Sequence, residues 1–375
     1  MYNVYSAYDV EPVKGLGCYV WDTNNVKYLD FYGGHAVISI GHSHPHFVKS
    51  ISDQLSKLAF YSNAVKNPLQ LKLANLLEEV SGQVDYDLFL VNSGAEANEN
   101  ALKLASFYNN RNKIIALENG FHGRTSAAIN VTHSGSKYQA PINRHIDVQF
   151  FDMNRSEEII SSINNGDVSA IIIEAIQGIG GLNQIDDSSL RSIREACTKN
   201  GTCLIMDEIQ CGYQRAGEFF AFEKSGIRPD IITMAKGMGN GFPVGGLLID
   251  KEKFPAEKGK LGTTFGGNHL ACAASIAVLE TIQMEELGQH VVNTSEYLKE
   301  SLSSIPEISK IKGRGLMLGI ELDGPVKELQ KKLLYDYHVF TGSSINPNLI
   351  RILPPLCITT KDIDLFTKRL IDALK

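Results

Sequence analysis

The sequence predicts an α/β protein that has a large, mostly parallel sheet and a second, smaller domain. Short apolar runs alternate with helical patterns through the middle of the chain, and separate strand and helix patterns occur near both ends. A length of 375 residues fits roughly two domains. We place the N-terminal part of the small domain at 1–46, the major domain at 47–290 and the C-terminal part of the small domain at 291–375.

The predicted strands of the major domain are apolar on both faces, which is typical of parallel strands covered by helices on each side. They lie at 88–91, 114–117, 170–173, 203–206, 231–234 and 246–249. Segment 96–108 has apolar residues at helical spacing and is predicted to be the helix after the first strand. In the smaller domain we predict a hairpin at 18–22 and 28–31, and strands at 316–322 and 349–353 that each precede a helix.

Charge and composition exclude several classes of partner. The 36 basic and 42 acidic residues give a net charge of -6 without long runs of one sign, which argues against nucleic acid or a membrane surface. The sequence contains neither a signal-peptide pattern at its start nor an apolar stretch long enough to span a bilayer. The six cysteines form no C-x-x-C pair and fit reduced thiols, so we expect a cytoplasmic protein.

Two neighbouring strands of the predicted sheet end in residues that can carry chemistry. One ends at Asp207, and the next ends just before Lys236, which lies between small residues. The carboxyl ends of such strands meet at the edge where α/β proteins bind ligands. A lysine there can form an imine with an aldehyde, and an aspartate can keep a pyridine nitrogen protonated. Either residue alone is better explained as an acidic strand end or a solvated lysine.

Two glycine-containing segments predict binding functions. Segment 92–97 (NSGAEA) runs from a strand through a small-residue turn into a helix, which is typical of an anion site, although a simple N-cap explains it equally well. Segment 120–125 (GFHGRT) combines an aromatic ring and an arginine, which can stack on a ligand ring and bind a carboxylate through two hydrogen bonds. The alternative for the second segment is a surface loop with a salt-bridged arginine.

Together these segments resemble the class III pyridoxal-phosphate (PLP) aminotransferases of the ornithine and acetylornithine type. The resemblance covers nearly the whole chain and consists of ten segments in the order of the family. They are 28–31 (YLDF), 41–45 (GHSHP), 92–98 (NSGAEAN), 121–125 (FHGRT), 173–178 (IEAIQG), 207–210 (DEIQ), 235–237 (AKG), 264–268 (TFGGN), 313–317 (GRGLM) and 350–356 (IRILPPL). Any one motif is weak evidence, but ten in order identify the family.

The resemblance implies fold type I of the PLP enzymes, with a seven-stranded sheet in the major domain and a small α/β domain from both termini. It also implies a homodimer with active sites at the interface. Lys236 would hold pyridoxal 5'-phosphate, Asp207 would pair with the ring nitrogen, and Gln210 would contact the phenolic oxygen. Phe121 would stack on the cofactor ring, with His122 beside it. Ser93, Gly94 and Ala95 would bind the phosphate, and Thr264 would reach the phosphate in the partner subunit.

The family also implies two arginines for the substrates. Arg124 matches the residue that binds the carboxylate far from the reacting amine, and Arg351 matches the one that binds the α-carboxylate of glutamate or 2-oxoglutarate. Tyr5, His35 and Glu174 complete the candidate substrate residues. The implied reaction moves the δ-amino group of N-acetylornithine or N-succinylornithine to 2-oxoglutarate, giving an N-acylglutamate 5-semialdehyde and glutamate, in arginine biosynthesis.

One departure from the family concerns the substrate end. Ile179 stands where most relatives have a glutamate that neutralises the arginine matching Arg351, and we therefore expect Arg351 to be unpaired. His35 replaces a tyrosine or an aliphatic residue. A free Arg351 could serve a second carboxylate on the acyl group, so the succinyl donor remains open.

Three other functions are considered. One is a different ω-aminotransferase that acts on ornithine, 4-aminobutyrate or a diamine. Another is a metal site at His42, His44 and His46, whose spacing suits zinc, although the family loop explains the same residues and we predict no metal. The last is a regulatory protein with this fold but without catalysis, against which the intact Lys236 and Asp207 argue.

Overall fold

The structure, a computed structural model, describes residues 2–375, except for the side chains of 134–136. Its strands are β1 (Pro12–Leu16), β2 (Tyr19–Asp22), β3 (Lys27–Asp30), β4 (Tyr86–Val91), β5 (Lys113–Leu117), β6 (Val148–Phe151), β7 (Val168–Ile173), β8 (Cys203–Asp207), β9 (Ile231–Met234), β10 (Gly245–Asp250), β11 (Lys310–Arg314), β12 (Met317–Glu321), β13 (Val339–Phe340), β14 (Gly342–Ser343) and β15 (Leu349–Ile352). These strands form three separate sheets.

The helices cover the sheets and connect their strands. They are α1 (Gly33–Ala36), α2 (Pro45–Lys57), α3 (Pro68–Ser81), α4 (Gly94–Asn109), α5 (Ser126–Asn130), α6 (Ser156–Asn164), α7 (Asp187–Asn200), α8 (His269–Met284), α9 (Leu287–Ser303), α10 (Lys327–Tyr335) and α11 (Thr360–Leu374). Among residues 2–375, no helix is both long enough and apolar enough to cross a membrane.

The largest sheet has seven strands in the order β4-β10-β9-β8-β7-β5-β6. Only β10 runs antiparallel to its neighbours, so the prediction of a mostly parallel seven-stranded sheet is confirmed. All six strands predicted for the major domain are present, and β6 adds an edge strand that the sequence did not predict. The central strands β7, β8 and β9 are buried along their whole length, as their continuous apolar runs require.

Helix α4 starts directly after β4, at the edge of the sheet where the parallel strands end. The Ser93 hydroxyl oxygen accepts a hydrogen bond from the backbone N–H of Glu96 at 3.2 Å and caps the helix. The small buried residues Ala97, Ala101 and Ala105 lie along one face and let α4 approach β7, β9 and β10 closely. The helix therefore aims its N-terminus at the carboxyl edge of the sheet.

The two ends of the chain build the two smaller sheets, β1-β2-β3-β13 and β11-β12-β15-β14. Strand β13 pairs in parallel with β3, so residues from opposite ends of the chain lie side by side. The predicted hairpin is present as β2 and β3, whereas β1, β11, β13 and β14 were not predicted. The domain boundaries at 46/47 and 290/291 remain a prediction.

A buried arginine joins these sheets to the large one. The Arg215 guanidinium donates hydrogen bonds to the carbonyl oxygens of Ile38 at 3.3 Å, of Leu316 at 3.2 Å and of Pro354. Burial lowers the pKa of Arg215 to about 10, so the group is still charged at neutral pH. Three distant segments thereby meet next to the carboxyl edge of the large sheet.

Candidate active site

Lys236 and Asp207 lie at the ends of neighbouring strands, as predicted. Asp207 is the last residue of β8, and Lys236 follows β9 by two residues with a left-handed φ of 46°. The Lys236 amine is enclosed by protein, and this burial lowers its pKa, assisted by the positive charge of Arg351 and opposed by the carboxylates of Asp207 and Glu174. A larger share of neutral amine makes Lys236 a better nucleophile at neutral pH.

The Asp207 carboxylate is 3% exposed and is surrounded by N–H donors. Oxygen Oδ2 accepts hydrogen bonds from Nδ2 of Asn98 at 2.8 Å and from Nδ1 of His122 at 2.7 Å, and Oδ1 accepts one from the backbone N–H of Ile209 at 3.1 Å. Burial disfavours the charged form of His122, but the hydrogen bond and charge of Asp207 outweigh it and raise the His122 pKa. These donors stabilise an ionised carboxylate in the protein interior.

The role of Asn98 was not identified from the sequence, although Asn98 belongs to one of the matching segments. Its side chain is fully buried and connects three elements. Nδ2 donates to the carbonyl oxygen of His122 at 2.8 Å as well as to Asp207, and Oδ1 accepts from the hydroxyl of Thr233 at 2.8 Å. Because Asn98 and Thr233 are 135 residues apart, no spacing pattern in the sequence could reveal their contact.

The predicted phosphate-binding residues form the turn that begins α4. Gly94 has no room for a side chain, since a Cβ there would come within 2.8 Å of the Ile209 side chain. The first turn of α4 provides backbone N–H groups and the positive end of a helix dipole, which suit an anion. Thr264 is exposed in the loop between β10 and α8. The hydroxyl oxygen of its neighbour Thr263 accepts a hydrogen bond from Nδ2 of Asn92 at 3.3 Å.

Glu174 holds two loops of the site in place. Its Oε1 accepts from the backbone N–H of Phe121 at 2.9 Å, and its Oε2 accepts from that of Gly178 at 3.0 Å. Burial raises the Glu174 pKa, and nearby Asp207 adds to the effect, whereas His122 opposes it. Both carboxylate oxygens thus fix the position of the loops that were predicted to face the cofactor and the substrate.

Arg351 is buried beside neutral groups. It is 2% exposed, and it donates from Nε to the carbonyl oxygen of Ser343 at 2.6 Å and from Nη1 to Oε1 of Gln210 at 3.1 Å. Within the described residues, no carboxylate lies within 4.0 Å of its guanidinium. Burial lowers the Arg351 pKa, against the influence of Tyr32 and Glu174. The guanidinium therefore has neutral hydrogen-bond partners but, among the described residues, no carboxylate partner.

Gln210 links Arg351 to the N-terminal part of the chain. While Oε1 faces Arg351, Nε2 donates to the carbonyl oxygen of His35 at 3.0 Å. The adjacent loop leaves no space, because a Cβ on Gly178 would overlap Oε1 of Gln210. One N–H of the Gln210 amide remains available for a further acceptor.

His35 lies on the exposed side of this arrangement, in a left-handed conformation with φ of 68°. Its Nε2 is 2.6 Å from the hydroxyl of Tyr32. The residue is partly exposed, but the surrounding protein still desolvates its ring and lowers the His35 pKa to about 4. The positive charges of Arg351 and Lys236 lower it further. His35 is therefore neutral at physiological pH.

The other two substrate candidates lie at the surface. Arg124 is exposed, and its guanidinium carbon is 4.8 Å from the centre of the Tyr138 ring, a cation–π contact that the sequence did not predict. Tyr5 is 79% exposed in the segment that precedes β1. Neither Arg124 nor Tyr5 is buried, so both can reach a ligand at the surface.

The three histidines of the alternative metal site point to different acids. His42 contacts Asp30 at 2.7 Å, His44 contacts Glu285 at 2.8 Å, and His46 contacts Glu280 at 2.8 Å. In the part of the chain that the structure describes, no group of three or more histidine, cysteine or acidic side chains could hold a metal ion. The imidazoles therefore form separate pairs rather than one ligand set.

Comparisons with known proteins cover nearly the whole chain. The family model for aminotransferase class-III matches residues 3–374. The acetylornithine aminotransferase of Caldanaerobacter subterraneus subsp. tengcongensis is 36% identical over 99% of this chain and 96% of that protein. The one from Archaeoglobus fulgidus is 38% identical over 96% of this chain and 95% of that protein.

Solved structures of aminotransferases also match nearly the whole chain. An ornithine aminotransferase from Toxoplasma gondii superposes with a TM-score of 0.88 at 29% identity, covering 98% of this chain and 91% of that one. A second structure of the ornithine aminotransferase from T. gondii, with a TM-score of 0.90 and 28% identity, contains PLP at partial occupancy in its active site and covers 99% of this chain and 92% of that one.

Proposed function

The chain belongs to the class-III aminotransferases, and we propose that it moves the δ-amino group of an N-acylornithine to 2-oxoglutarate in arginine biosynthesis. The products would be an N-acylglutamate 5-semialdehyde and glutamate. The observation that carries the proposal is the desolvated amine of Lys236 beside the buried carboxylate of Asp207, at the ends of adjacent strands. The similarity to two acetylornithine aminotransferases supports the choice of donor.

The residues of the site fit PLP, the cofactor of this family. Among the described residues, Nε2 of His122 is buried without a hydrogen-bond partner, and the first turn of α4, which begins at Gly94, offers backbone N–H groups to an anion. Lys236 would bind the aldehyde carbon, Asp207 the ring nitrogen, and the free N–H of Gln210 the phenolic oxygen. When bound, the cofactor supplies an electron sink for the electrons of the substrate C–H bond.

The residues of this chain would handle the proton. The Lys236 amine would accept a proton from the substrate carbon and return one. Its lowered pKa suits this role, because it makes the neutral amine that accepts the proton more readily available. Asp207 would place its negative charge next to the ring nitrogen, where positive charge is needed.

Two arginines would bind the carboxylates of the two substrates. The exposed Arg124, oriented by its contact with Tyr138, would bind the α-carboxylate of the donor. The buried Arg351 would bind the α-carboxylate of 2-oxoglutarate in the second half-reaction. Since the hydrogen-bond partners of Arg351 are neutral, the acceptor need not displace a carboxylate that is paired with it.

The same neutral surroundings favour a second candidate donor. While the donor occupies the site, Arg351 would remain a buried charge without a counterion, which is unfavourable. A carboxylate on the acyl group, as in N-succinylornithine, would compensate that charge. The names of the relatives favour the acetyl donor, whereas the environment of Arg351 favours the succinyl donor.

We also propose a homodimer with active sites at the interface. An open cavity of about 1200 Å³ lies between α3, α4 and the segment after β10, and Leu71 and Phe107 on its wall are exposed. Phe265, next to Thr264, is 60% exposed. Apolar surface of this extent is typical of a protein interface and supports the proposal.

A donor panel tests the proposed function. N-acetylornithine, N-succinylornithine, ornithine and 4-aminobutyrate are each supplied with 2-oxoglutarate, and glutamate formation is measured. We expect kcat/KM for an acylated ornithine to exceed that for ornithine and 4-aminobutyrate by at least about tenfold, because one favourable contact of ~1.4 kcal/mol gives that factor. Preference for ornithine, for 4-aminobutyrate or for a simple diamine would contradict the proposal.

A further inference from the structure

We propose that Asn98 is a positioning residue for the reaction: anchored by Thr233, it holds Asp207 ionised and in place beside the cofactor site. This inference depends on the proposed function, because Asp207 needs its charge only if it faces a pyridine nitrogen. Neither Asn98 nor Thr233 lies among the residues that the sequence assigned to cofactor or substrate.

The geometry uses both N–H groups and the oxygen of the Asn98 amide. The two N–H groups donate to Oδ2 of Asp207 and to the carbonyl oxygen of His122, each at 2.8 Å. The amide oxygen accepts the Thr233 hydroxyl proton at 2.8 Å. In the reversed orientation the amide oxygen would face two other acceptors, so only one orientation satisfies every group. Asn98 and Thr233 are both 0% exposed, and water cannot replace either partner.

Thr233 ties this amide to the strand that carries Lys236. It lies opposite Asp207 in the pairing of β8 with β9, three residues before Lys236. Its carbonyl oxygen accepts the backbone N–H of Glu208 at 3.0 Å, so its main chain is fixed to the residue that follows Asp207. The contact therefore links α4, which begins at the expected phosphate site, to both strands that carry the reacting groups.

Four titratable groups lie near Asp207: His122, Lys236, Glu174 and Cys211. A positive charge on His122 or Lys236 attracts a carboxylate, whereas a negative charge on Glu174 or Cys211 repels it. Burial raises the pKa of both Glu174 and Cys211, which disfavours their negative forms. If Asn98 is lost, Asp207 keeps only His122 and one backbone N–H as donors, and its ionised form becomes less favourable.

The experiment compares four variants of the full-length holoenzyme. Asn98→Ala removes the donor, and Thr233→Val removes its anchor with little change in shape. Thr233→Ser keeps the hydroxyl and should retain the wild-type titration midpoint and kcat. Thr281→Val is the matched control, since Thr281 is also a fully buried threonine, and its hydroxyl donates to its own helix at 2.8 Å, to the Ala277 carbonyl in α8.

The first measurement is the pH titration of the bound cofactor's absorbance. A positive charge on the ring nitrogen disfavours a further proton elsewhere on the bound cofactor. If Asp207 stabilises that charge less well, the midpoint of the absorbance titration should move to higher pH. We expect the titration midpoint to rise by about one pH unit in Asn98→Ala, because one hydrogen bond to a charged group is lost. A smaller rise is expected in Thr233→Val, which keeps that hydrogen bond but removes its anchor. Thr233→Ser and Thr281→Val should titrate like the wild type.

The second measurement separates kcat from KM. We expect kcat to fall by about tenfold in Asn98→Ala, while KM for 2-oxoglutarate stays within about twofold because Arg351 is untouched. If Asn98→Ala and Thr233→Val match Thr281→Val in midpoint and in kcat, Asn98 is only structural and the inference is wrong, although the proposed function stands. A wild-type protein without any absorbance from a bound cofactor would instead overturn the proposed function.

Discussion

The two ends of the active site are built on different principles. Around Asp207, the titratable groups are buried together, the His122 ring lies within hydrogen-bond distance, and Asn98 and the backbone supply further donors. Around the two arginines, Arg124 is exposed against an aromatic ring and Arg351 is buried without a countercharge. The difference is one of charge compensation: the Asp207 carboxylate has hydrogen-bond donors from the same chain, whereas Arg351 has no carboxylate partner among the described residues.

The largest effect is expected at the catalytic end, from Lys236→Ala. Turnover should fall by roughly four orders of magnitude, at the upper limit of what a positioned proton-transfer group contributes. The absorbance that reports the bond between lysine and cofactor should also disappear, as single-turnover spectroscopy would show. Lys251→Ala is a suitable control, because Lys251 lies at the surface in a salt bridge with Asp85. Near-normal turnover of Lys236→Ala would mean that another residue performs its role.

Asp207→Asn tests whether the preformed charge matters as much as the geometry. The amide keeps the shape but cannot attract a proton to the ring nitrogen. We expect kcat to fall by roughly three orders of magnitude, which corresponds to about 4 kcal/mol at ~1.4 kcal/mol per tenfold change. Steady-state kinetics with both substrates would measure it, and a change confined to KM would contradict the assignment.

At the substrate end, Arg124→Lys should give a loss that depends on the donor. Lysine cannot reproduce the two parallel hydrogen bonds of a guanidinium to a carboxylate. We expect kcat/KM to fall about a hundredfold for an N-acylornithine, the effect of a few kcal/mol, and only slightly for an acylated diamine that lacks the carboxylate. Equal losses for the two donors would remove Arg124 from the binding site.

The smallest effect, and the most specific, is expected from Ile179→Glu. The Ile179 carbonyl oxygen accepts the backbone N–H of Ile345 at 3.0 Å, so this loop lies beside the segment that holds Arg351. A new carboxylate should pair with Arg351 and compete with an anion on the donor. We expect kcat/KM to fall by about tenfold for N-succinylornithine and to stay constant or rise for N-acetylornithine. The carboxylate-donor idea is wrong if both donors respond alike, or if the native protein prefers N-acetylornithine.

The large sheet could be predicted because burial on both faces leaves a clear pattern in the sequence. Strands β7, β8 and β9 are continuous apolar runs, and each was predicted within two residues of its observed bounds. Strand β6 has only one fully buried residue, at the edge of the sheet, and gave no such pattern. The antiparallel direction of β10 could not be predicted either, since a strand buried on both faces has the same composition in either direction.

The layout of the candidate site was predictable only where the chemistry follows the end of a strand. The positions of Lys236 and Asp207 at the ends of adjacent strands could be predicted in this way, whereas their roles remain predictions. Ile179 indicated that Arg351 lacks a carboxylate partner, and none lies within 4.0 Å of it among the described residues. The partners that Arg351 does have, Gln210 and the Ser343 carbonyl, come from distant segments and required the structure. The same holds for Asn98, whose contacts reach across three elements.

The pairing of β3 with β13 also determines when the enzyme can become functional during its synthesis. The ribosome produces the N-terminal part first, so the seven strands of the large sheet can associate while β13 is still unmade. Until then the buried residue Leu29 in β3 lacks its neighbour Val339, and contacts between such distant positions form slowly. Arg351 emerges later still. Arg351, the proposed binding residue for the acceptor, is therefore among the last parts of the candidate site to be synthesised.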